Sequence, residues 1–144
     1  MKQYLISILL AVLVLSCAKH SEHWTTLSEA ESLIAERPDS ALRILQPIDR
    51  GELSSDEERA KHALLLSMAL DKNYIDETDP SLSSEAKEYY AESNNTRYRF
   101  LSLYYYGRVL YNRGEYTEAI IAYTEAESLL SEVDDDYLDR KSVV

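Results

Sequence analysis

Few residues in this 144-residue sequence have types and spacings that could do chemistry. His20 and His23 are spaced as a metal pair, but no third histidine lies near them, and short tethers of this kind are usually disordered. The acidic stretch from Asp71 to Asp76 lacks the glycine and the closing glutamate of a calcium loop. The motifs of serine hydrolases, zinc proteases and phosphate-binding loops are absent from the sequence. We therefore expect no metal site, no cofactor and no enzymatic activity.

Cys17 is the single cysteine, which excludes an intrachain disulfide and gives its position more meaning than its number. It follows a positive residue, Lys2, and an apolar run of about a dozen residues from Tyr4 to Leu15. That run has the length of a signal-peptide core and is shorter than the roughly 20 residues that a membrane-spanning helix needs. Residues 1–16 are therefore predicted to be a signal peptide.

The sequence Val14-Leu15-Ser16-Cys17 resembles the lipobox of bacterial lipoproteins. The resemblance implies that the Cys17 sulfur receives a diacylglyceryl group, and that cleavage makes Cys17 the new N-terminus of a membrane-anchored protein. Residues 17–25 would then be a polar tether at the cell envelope. Ala18 is not an Asp-type retention signal, so we expect the outer membrane. The alternative is an ordinary secretory signal with a chance cysteine.

The overall charge argues against some classes of partner. The net charge is −11, and it becomes more negative by one when Lys2 is removed with the signal peptide. A strongly acidic protein repels phosphates, so we expect no nucleic-acid partner and no binding to an anionic membrane surface.

Apolar residues recur at helical spacing from residue 26 onward, and only three glycines and three prolines interrupt them. The pattern predicts an all-α fold. We expect helices from Thr26 to Glu36, from Pro38 to about Ile48, from Ser54 to about Asp71, from Asp79 to about Ser93, and two more between residues 100 and 133. Capping boxes are predicted at Thr26 with Glu29 and at Ser54 with Glu57. The third helix is the most broadly apolar and should be the most buried. Its histidine, His62, is expected at the surface or in a groove.

Residues 100–133 resemble one complete tetratricopeptide repeat. The motif positions that match are Gly107, Gly114, Tyr116, Ala119, Tyr123 and Ala126. Leu103, Leu110 and Ser131 stand where the repeat usually has Trp, Tyr and Pro. The resemblance implies two antiparallel helices joined by a turn at Gly114.

A small residue followed four positions later by a large one occurs in the second helix of each predicted pair. The phrases are Ala41-x3-Leu45, Ala86-x3-Tyr90 and Ala119-x3-Tyr123. Together with the repeat, they indicate about three antiparallel helix pairs in residues 26–133, stacked as a short right-handed solenoid of the tetratricopeptide type. The alternative is a generic antiparallel helical bundle.

The resemblance also implies a binding groove on the first helix of a pair. The groove positions of the repeat fall on Leu101, Tyr104, Arg108, Tyr111 and Asn112, with Leu64, Met68 and Asp71 as equivalents in the preceding pair. Tyrosine rings, a guanidinium and an amide could together bind a peptide. The alternative is that Tyr104 and Tyr111 only pack against a neighbouring helix.

Three phrases are similar to exported tetratricopeptide proteins of Bacteroidetes-type bacteria: Glu36–Leu42 (ERPDSAL), Ala69–Asp76 (ALDKNYID) and Tyr104–Val109 (YYYGRV). The resemblance implies a non-enzymatic envelope lipoprotein that binds a protein or peptide as an adaptor or scaffold. The alternative is a small-molecule or peptide sensor fragment, related to longer repeat-containing regulators.

The predicted sixth helix has an apolar face, and residues 134–144 form a short tail that begins with three aspartates. The face carries Ala119, Ile120, Tyr123, Ala126 and Leu130. Terminal repeats need a polar cap, so we expect this face to be partly exposed, or to be covered by Tyr137, Leu138 or a second copy.

Overall fold

The computed structural model describes residues 23–133, and this part of the chain is all α-helical, without a β-strand. Its helices are α1 (residues 23–33), α2 (Pro38–Leu45), α3 (Asp56–Lys72), α4 (Ser81–Tyr90), α5 (Thr96–Arg113) and α6 (Tyr116–Ser128). Short 3-10 turns occur at Arg50–Glu52 and Leu130–Glu132. The predicted signal peptide, Cys17, His20 and the tail lie outside the described residues. None of the described helices combines the length and the apolar character that a membrane crossing requires.

The helix ends follow from local sequence signals. Pro38 begins α2, where a missing amide hydrogen costs nothing, and Gly114 ends α5 in the left-handed conformation that favours glycine. Asn95 caps α5 by accepting a hydrogen bond from the Tyr98 amide. Ser55 caps α3 by accepting a hydrogen bond from the Glu58 amide, one residue later than predicted.

The first helix begins earlier than the sequence indicated. Residues 23–25, which were assigned to the tether, are helical, and Thr26 therefore lies inside α1 rather than at its cap. The ring of Trp24 lies 4.4 Å from the Lys61 ammonium, so this end of α1 packs on α3. A cation over an aromatic ring is attractive, which helps to hold the early turn in place.

Helices α5 and α6 form an antiparallel pair. Gly107 lies seven residues before the turn at Gly114, and it packs against the ring of Tyr123, nine residues after that turn. Two helices that meet at matched distances from their connecting turn must run in opposite directions. The missing side chain at Gly107 permits their close approach.

Helices α3 and α5 run in the same direction. Near their N-terminal ends, the Glu31 carboxylate of α1 lies 2.9 Å from both the Lys61 ammonium and the Arg97 guanidinium. Near their C-terminal ends, Arg108 Nε lies 2.7 Å from Asp71 Oδ1. Helix α4 connects α3 to α5 and packs on both, and α3 and α5 also contact each other directly.

Helix α3 is the most buried helix that the structure describes, as predicted. His62 corrects one expectation, since it is buried in the core rather than exposed. Its Nε2 lies 3.0 Å from the Leu45 carbonyl, and its Nδ1 lies 2.9 Å from Arg50 Nη1. Arginine can only donate, so Nδ1 accepts and Nε2 carries the proton. Burial lowers the pKa of His62 below its ordinary value.

Candidate binding surface

The candidate surface begins with two exposed tyrosines on α5. Tyr104 is 38% exposed and Tyr111 is 52% exposed. They are seven residues apart, which is two helical turns, so both side chains project from one side of α5. Two large rings open to solvent on one helix face give this surface its apolar character.

Helix α6 continues this surface. The Tyr123 ring centroid lies 5.7 Å from that of Tyr104, and the Tyr116 centroid lies 5.3 Å from that of Tyr111. Ile120 stands one turn from each of the two α6 tyrosines and is 63% exposed. We call the set formed by Tyr104, Tyr111, Tyr116, Ile120 and Tyr123 the tyrosine surface.

Arg108 lies between the tyrosines of α5 but is already engaged. Its Nε donates to Asp71 Oδ1 at 2.7 Å. Burial alone would lower the pKa of Arg108, but the Asp71 carboxylate raises it above its ordinary value. A ligand carboxylate would therefore compete with Asp71 for the guanidinium, so Arg108 is less available to a ligand than the sequence indicated.

Asn112 holds the connection between α3 and α4. Its Nδ2 donates to the Glu77 carbonyl at 3.2 Å, and Arg113 Nη1 donates to the Thr78 carbonyl at 3.3 Å. From the other side, Ser67 donates to the Glu77 carboxylate at 2.9 Å. Burial raises the pKa of Glu77. The side-chain amide of Asn112 thus bonds to the connection between α3 and α4, beside the tyrosine surface.

Leu101 does not line an open surface. It is 2% exposed and packs in the core, which corrects the expectation that it faces a groove. Leu64 and Met68, its counterparts on α3, are buried in the same core. Their burial has one physical cause: α5 lies against α3 and α4, so the sides of these helices that face each other are closed to a ligand.

Three members of the tyrosine surface were missed because the predicted groove was confined to one helix. Tyr116, Ile120 and Tyr123 belong to α6, and none of them was predicted to line the groove. The signal was present in the sequence, since Tyr116, Ile120 and Tyr123 follow helical spacing. The face of α6 is partly exposed as expected, with Ala119 and Ala126 buried against α5.

Helix α6 and the residues that flank it carry only negative charges in the sequence. Between residues 115 and 133 the sequence has no lysine or arginine, and its glutamates are Glu115, Glu118, Glu125, Glu127 and Glu132. Of these, Glu115 pairs with Arg113 on α5 at 3.0 Å. Glu127 lies four residues after Tyr123, on the same side of the helix.

A separate cavity of about 340 Å³ lies where α4, α5 and α6 meet. Lys87, Arg99, Leu103, Glu125 and Leu129 are among the residues that line it. The lining combines apolar side chains with two cations and one carboxylate, so its charged part is positive on balance and suits a small ligand with an acidic group.

The described part of the chain contains no group of histidine, cysteine, aspartate and glutamate side chains arranged to hold a metal ion. The exposed tyrosines are thus the most prominent chemical feature within residues 23–133. Comparisons of the chain with protein-family models, with curated proteins and with solved structures found no match.

Proposed function

We propose that this chain is a non-enzymatic lipoprotein of the bacterial cell envelope that binds a protein or peptide partner on its tyrosine surface. The observation that carries the proposal is the exposure of Tyr104 and Tyr111 beside Tyr116 and Tyr123. Aromatic residues that stay exposed in a cluster are typical of interaction surfaces, because burying them against a partner removes a large apolar area from water.

The proposal includes a short right-handed solenoid of the tetratricopeptide type. Three features support it: the antiparallel α5–α6 pair with Gly107 at its closest contact, the turn at Gly114, and the parallel course of α3 and α5. In such an array each pair buries its apolar side on the next, and the last pair presents an unpaired side.

The proposal also includes a lipid anchor on Cys17 that attaches the protein to the outer membrane. Metabolic labelling with a clickable fatty acid tests it directly. Wild-type protein should carry the label and fractionate with membranes, and Cys17→Ser should lose both properties. Label that persists in Cys17→Ser would place the lipid elsewhere and remove the support for a lipobox.

Capture from cells tests the binding function. Crosslinked wild-type protein should retain a partner identifiable by mass spectrometry, and the variant with Tyr104→Ala and Tyr111→Ala should lose it. Adding Arg108→Ala should weaken capture little further, because Arg108 is engaged with Asp71. Tyr89→Ala is the matched control, since Tyr89 is an exposed tyrosine of α4 outside the tyrosine surface. A partner retained equally by all four proteins would exclude this surface.

The cavity of about 340 Å³ between α4, α5 and α6 favours a second candidate function, a small-molecule sensor. In this case Lys87 and Arg99 would bind an acidic group while Leu103 and Leu129 contact an apolar part. A thermal-shift screen with small carboxylates separates the two functions. Stabilisation that Arg99→Ala abolishes and Tyr111→Ala leaves intact would favour the sensor.

A further inference from the structure

One member of the tyrosine surface, Tyr123, has a counterpart earlier in the chain, and that counterpart is covered by a helix. Helices α4 and α6 each carry a tyrosine four residues after a buried alanine. In α4 this residue is Tyr90, which is buried with its ring 5.0 Å from that of Tyr98 on the following helix. In α6 it is Tyr123, which stays partly exposed, and within the described residues no helix follows α6.

The shape of the surface fits a helix. Tyr104 and Tyr111 are two turns apart on α5, and Tyr116 and Tyr123 are two turns apart on α6, so each row is roughly 10 Å long. The cross-row contacts, Tyr104 with Tyr123 and Tyr111 with Tyr116, keep the rows side by side. The two rows in contact form one continuous apolar strip along the α5–α6 groove, against which the apolar side of another helix can pack.

The charge of the surroundings selects among the possible occupants. Residues 115–133 carry no cation, and Glu127 lies on the same side of α6 as Tyr123. The two nearby arginines are already paired, Arg108 with Asp71 and Arg113 with Glu115. A second copy docked through the same face would bring together two chains that each have a net charge of −11, with Glu127 on both surfaces. The segment after residue 133 begins with Asp134–Asp136, which would add three more carboxylates. Lysine or arginine flanking an apolar stripe would instead be complementary.

We propose that the tyrosine surface binds an amphipathic helix of a partner protein whose polar positions carry lysine or arginine. The bound helix lies along the α5–α6 groove in the place that a next helix of the array would take. This inference rests on the proposed function and narrows it, because it specifies the partner as helical and cationic.

The test uses the full chain in a neutral detergent and labelled synthetic peptides of about 14 residues, roughly four helical turns. One peptide has leucines at helical spacing with lysines between them, and a second replaces every lysine by glutamate. Fluorescence anisotropy measures both affinities. We expect the lysine peptide to bind at least about tenfold more tightly than the glutamate peptide, a difference that narrows as salt is added.

A matched pair of variants locates the peptide. Ile120 and Ile121 are adjacent on α6 and are 63% and 54% exposed, but only Ile120 has helical spacing from Tyr116 and Tyr123. Ile120→Asp should lower the affinity for the lysine peptide at least about tenfold, and Ile121→Asp should change this affinity less than about twofold. Both variants should keep the wild-type circular dichroism spectrum, since neither side chain is buried.

Three results would overturn the inference: no binding of the lysine peptide, equal binding of the glutamate peptide, or equal losses in the two variants. The proposed function is separable from it. A cellular partner that depends on Tyr104 and Tyr111, combined with any of these three results, would leave a binding surface whose partner is not a cationic helix. Loss of all cellular partners would instead remove the proposed function itself.

Discussion

A Cβ atom built on Gly107 would lie 2.7 Å from Cε1 of Tyr123, closer than non-bonded carbon atoms approach. The pair sets the separation of α5 and α6, and through Tyr123 it sets the position of one member of the tyrosine surface. Neither residue alone accounts for this packing, because it requires a missing side chain on one helix and a large ring on the other.

The first prediction concerns this pair. Gly107→Ala should lower the free energy of unfolding by about 1–2 kcal/mol, because overpacking outweighs the better helix propensity of alanine. In a Tyr123→Ala background the same substitution should raise stability by about 0.5–1 kcal/mol, since only the propensity gain remains. Urea unfolding of wild type, Gly107→Ala, Tyr123→Ala and the double variant gives the coupling free energy between the two positions. Identical effects of Gly107→Ala in both backgrounds would show that the contact does not limit the helix separation.

The second prediction concerns Glu31, which links α1 to α3 and α5. Burial alone would raise the pKa of Glu31, but hydrogen bonds and attraction from Lys61, with further bonds from Tyr98 and Arg97, hold it below its ordinary value. Glu31→Gln should cost about 2 kcal/mol at neutral pH, because it leaves the Lys61 ammonium buried without its carboxylate. Chemical unfolding at pH 7 measures the loss.

The pH dependence of the same residue provides its control. With a folded pKa below the unfolded value of about 4.5, the stabilisation from Glu31 is present above that pH and is lost as the pH falls through the folded pKa. Wild-type protein should therefore lose more stability than Glu31→Gln when the pH is lowered below 4.5. If the free energy of unfolding fell equally with pH for the two proteins in this range, Glu31 would not be the group whose pKa is lowered on folding.

The third prediction concerns His62. The unfolded ring binds a proton near its ordinary pKa of 6.5, while burial lowers the pKa of the folded ring. Below pH 6.5 the unfolded state therefore binds more protons, and stability falls as the pH decreases through this window. His62→Gln should remove this dependence and cost about 2 kcal/mol at pH 7, because the bonds to Leu45 and Arg50 are disturbed.

Two features separate this effect from that of Glu31. The His62 window lies between pH 6.5 and the lowered folded pKa, and the Glu31 window lies below pH 4.5. Glu31→Gln should leave the pH dependence just below pH 6.5 intact. A His62→Gln protein that still loses as much stability as wild type there would mean that another group titrates.

The fourth prediction concerns Tyr74, which has a backbone φ of 59° and an almost fully exposed side chain. Positive φ is costly for a residue with a Cβ atom and costs glycine little. Tyr74→Gly should raise the free energy of unfolding by about 0.5–1 kcal/mol. Ile75→Gly is the control and should lower stability, because Ile75 is not among the positive-φ residues. A loss in Tyr74→Gly would indicate that the tyrosine ring stabilises the connection.

Much of the fold was predictable because its signals are local. Pro38 and Gly114 mark helix ends through the backbone conformations that they favour. The cap at Asn95 was missed, since the fifth helix was expected to begin at residue 100 and α5 begins at Thr96. The cap of α3 was placed one residue too early, since Ser54-Ser55 and Glu57-Glu58 offer two boxes of equal local quality. Tertiary burial distinguishes them: Glu58 is buried, and its carboxylate accepts from the Ser54 amide and hydroxyl.

The candidate surface was less predictable, because exposure depends on which helices meet. Tyr104 and Tyr111 remain open, whereas Leu101 on the same helix packs in the core. His62 is buried, and its ring nitrogens bond to Arg50 and to the Leu45 carbonyl, which lie 12 and 17 residues away in the sequence. A sequence pattern gives the side of a helix that a residue occupies, but it does not give the neighbour that covers that side.

Photo-crosslinking from a single position tests partner binding at the tyrosine surface most directly. Benzoyl-phenylalanine would replace Tyr111 in one strain and Tyr89, an exposed tyrosine of α4, in another, each in the full chain in living cells. We expect a discrete crosslinked protein from position 111, absent from position 89, and lost when Ile120→Asp is added. A crosslink from position 89 alone, or none from position 111 while the protein is present in the envelope, would contradict binding at this surface.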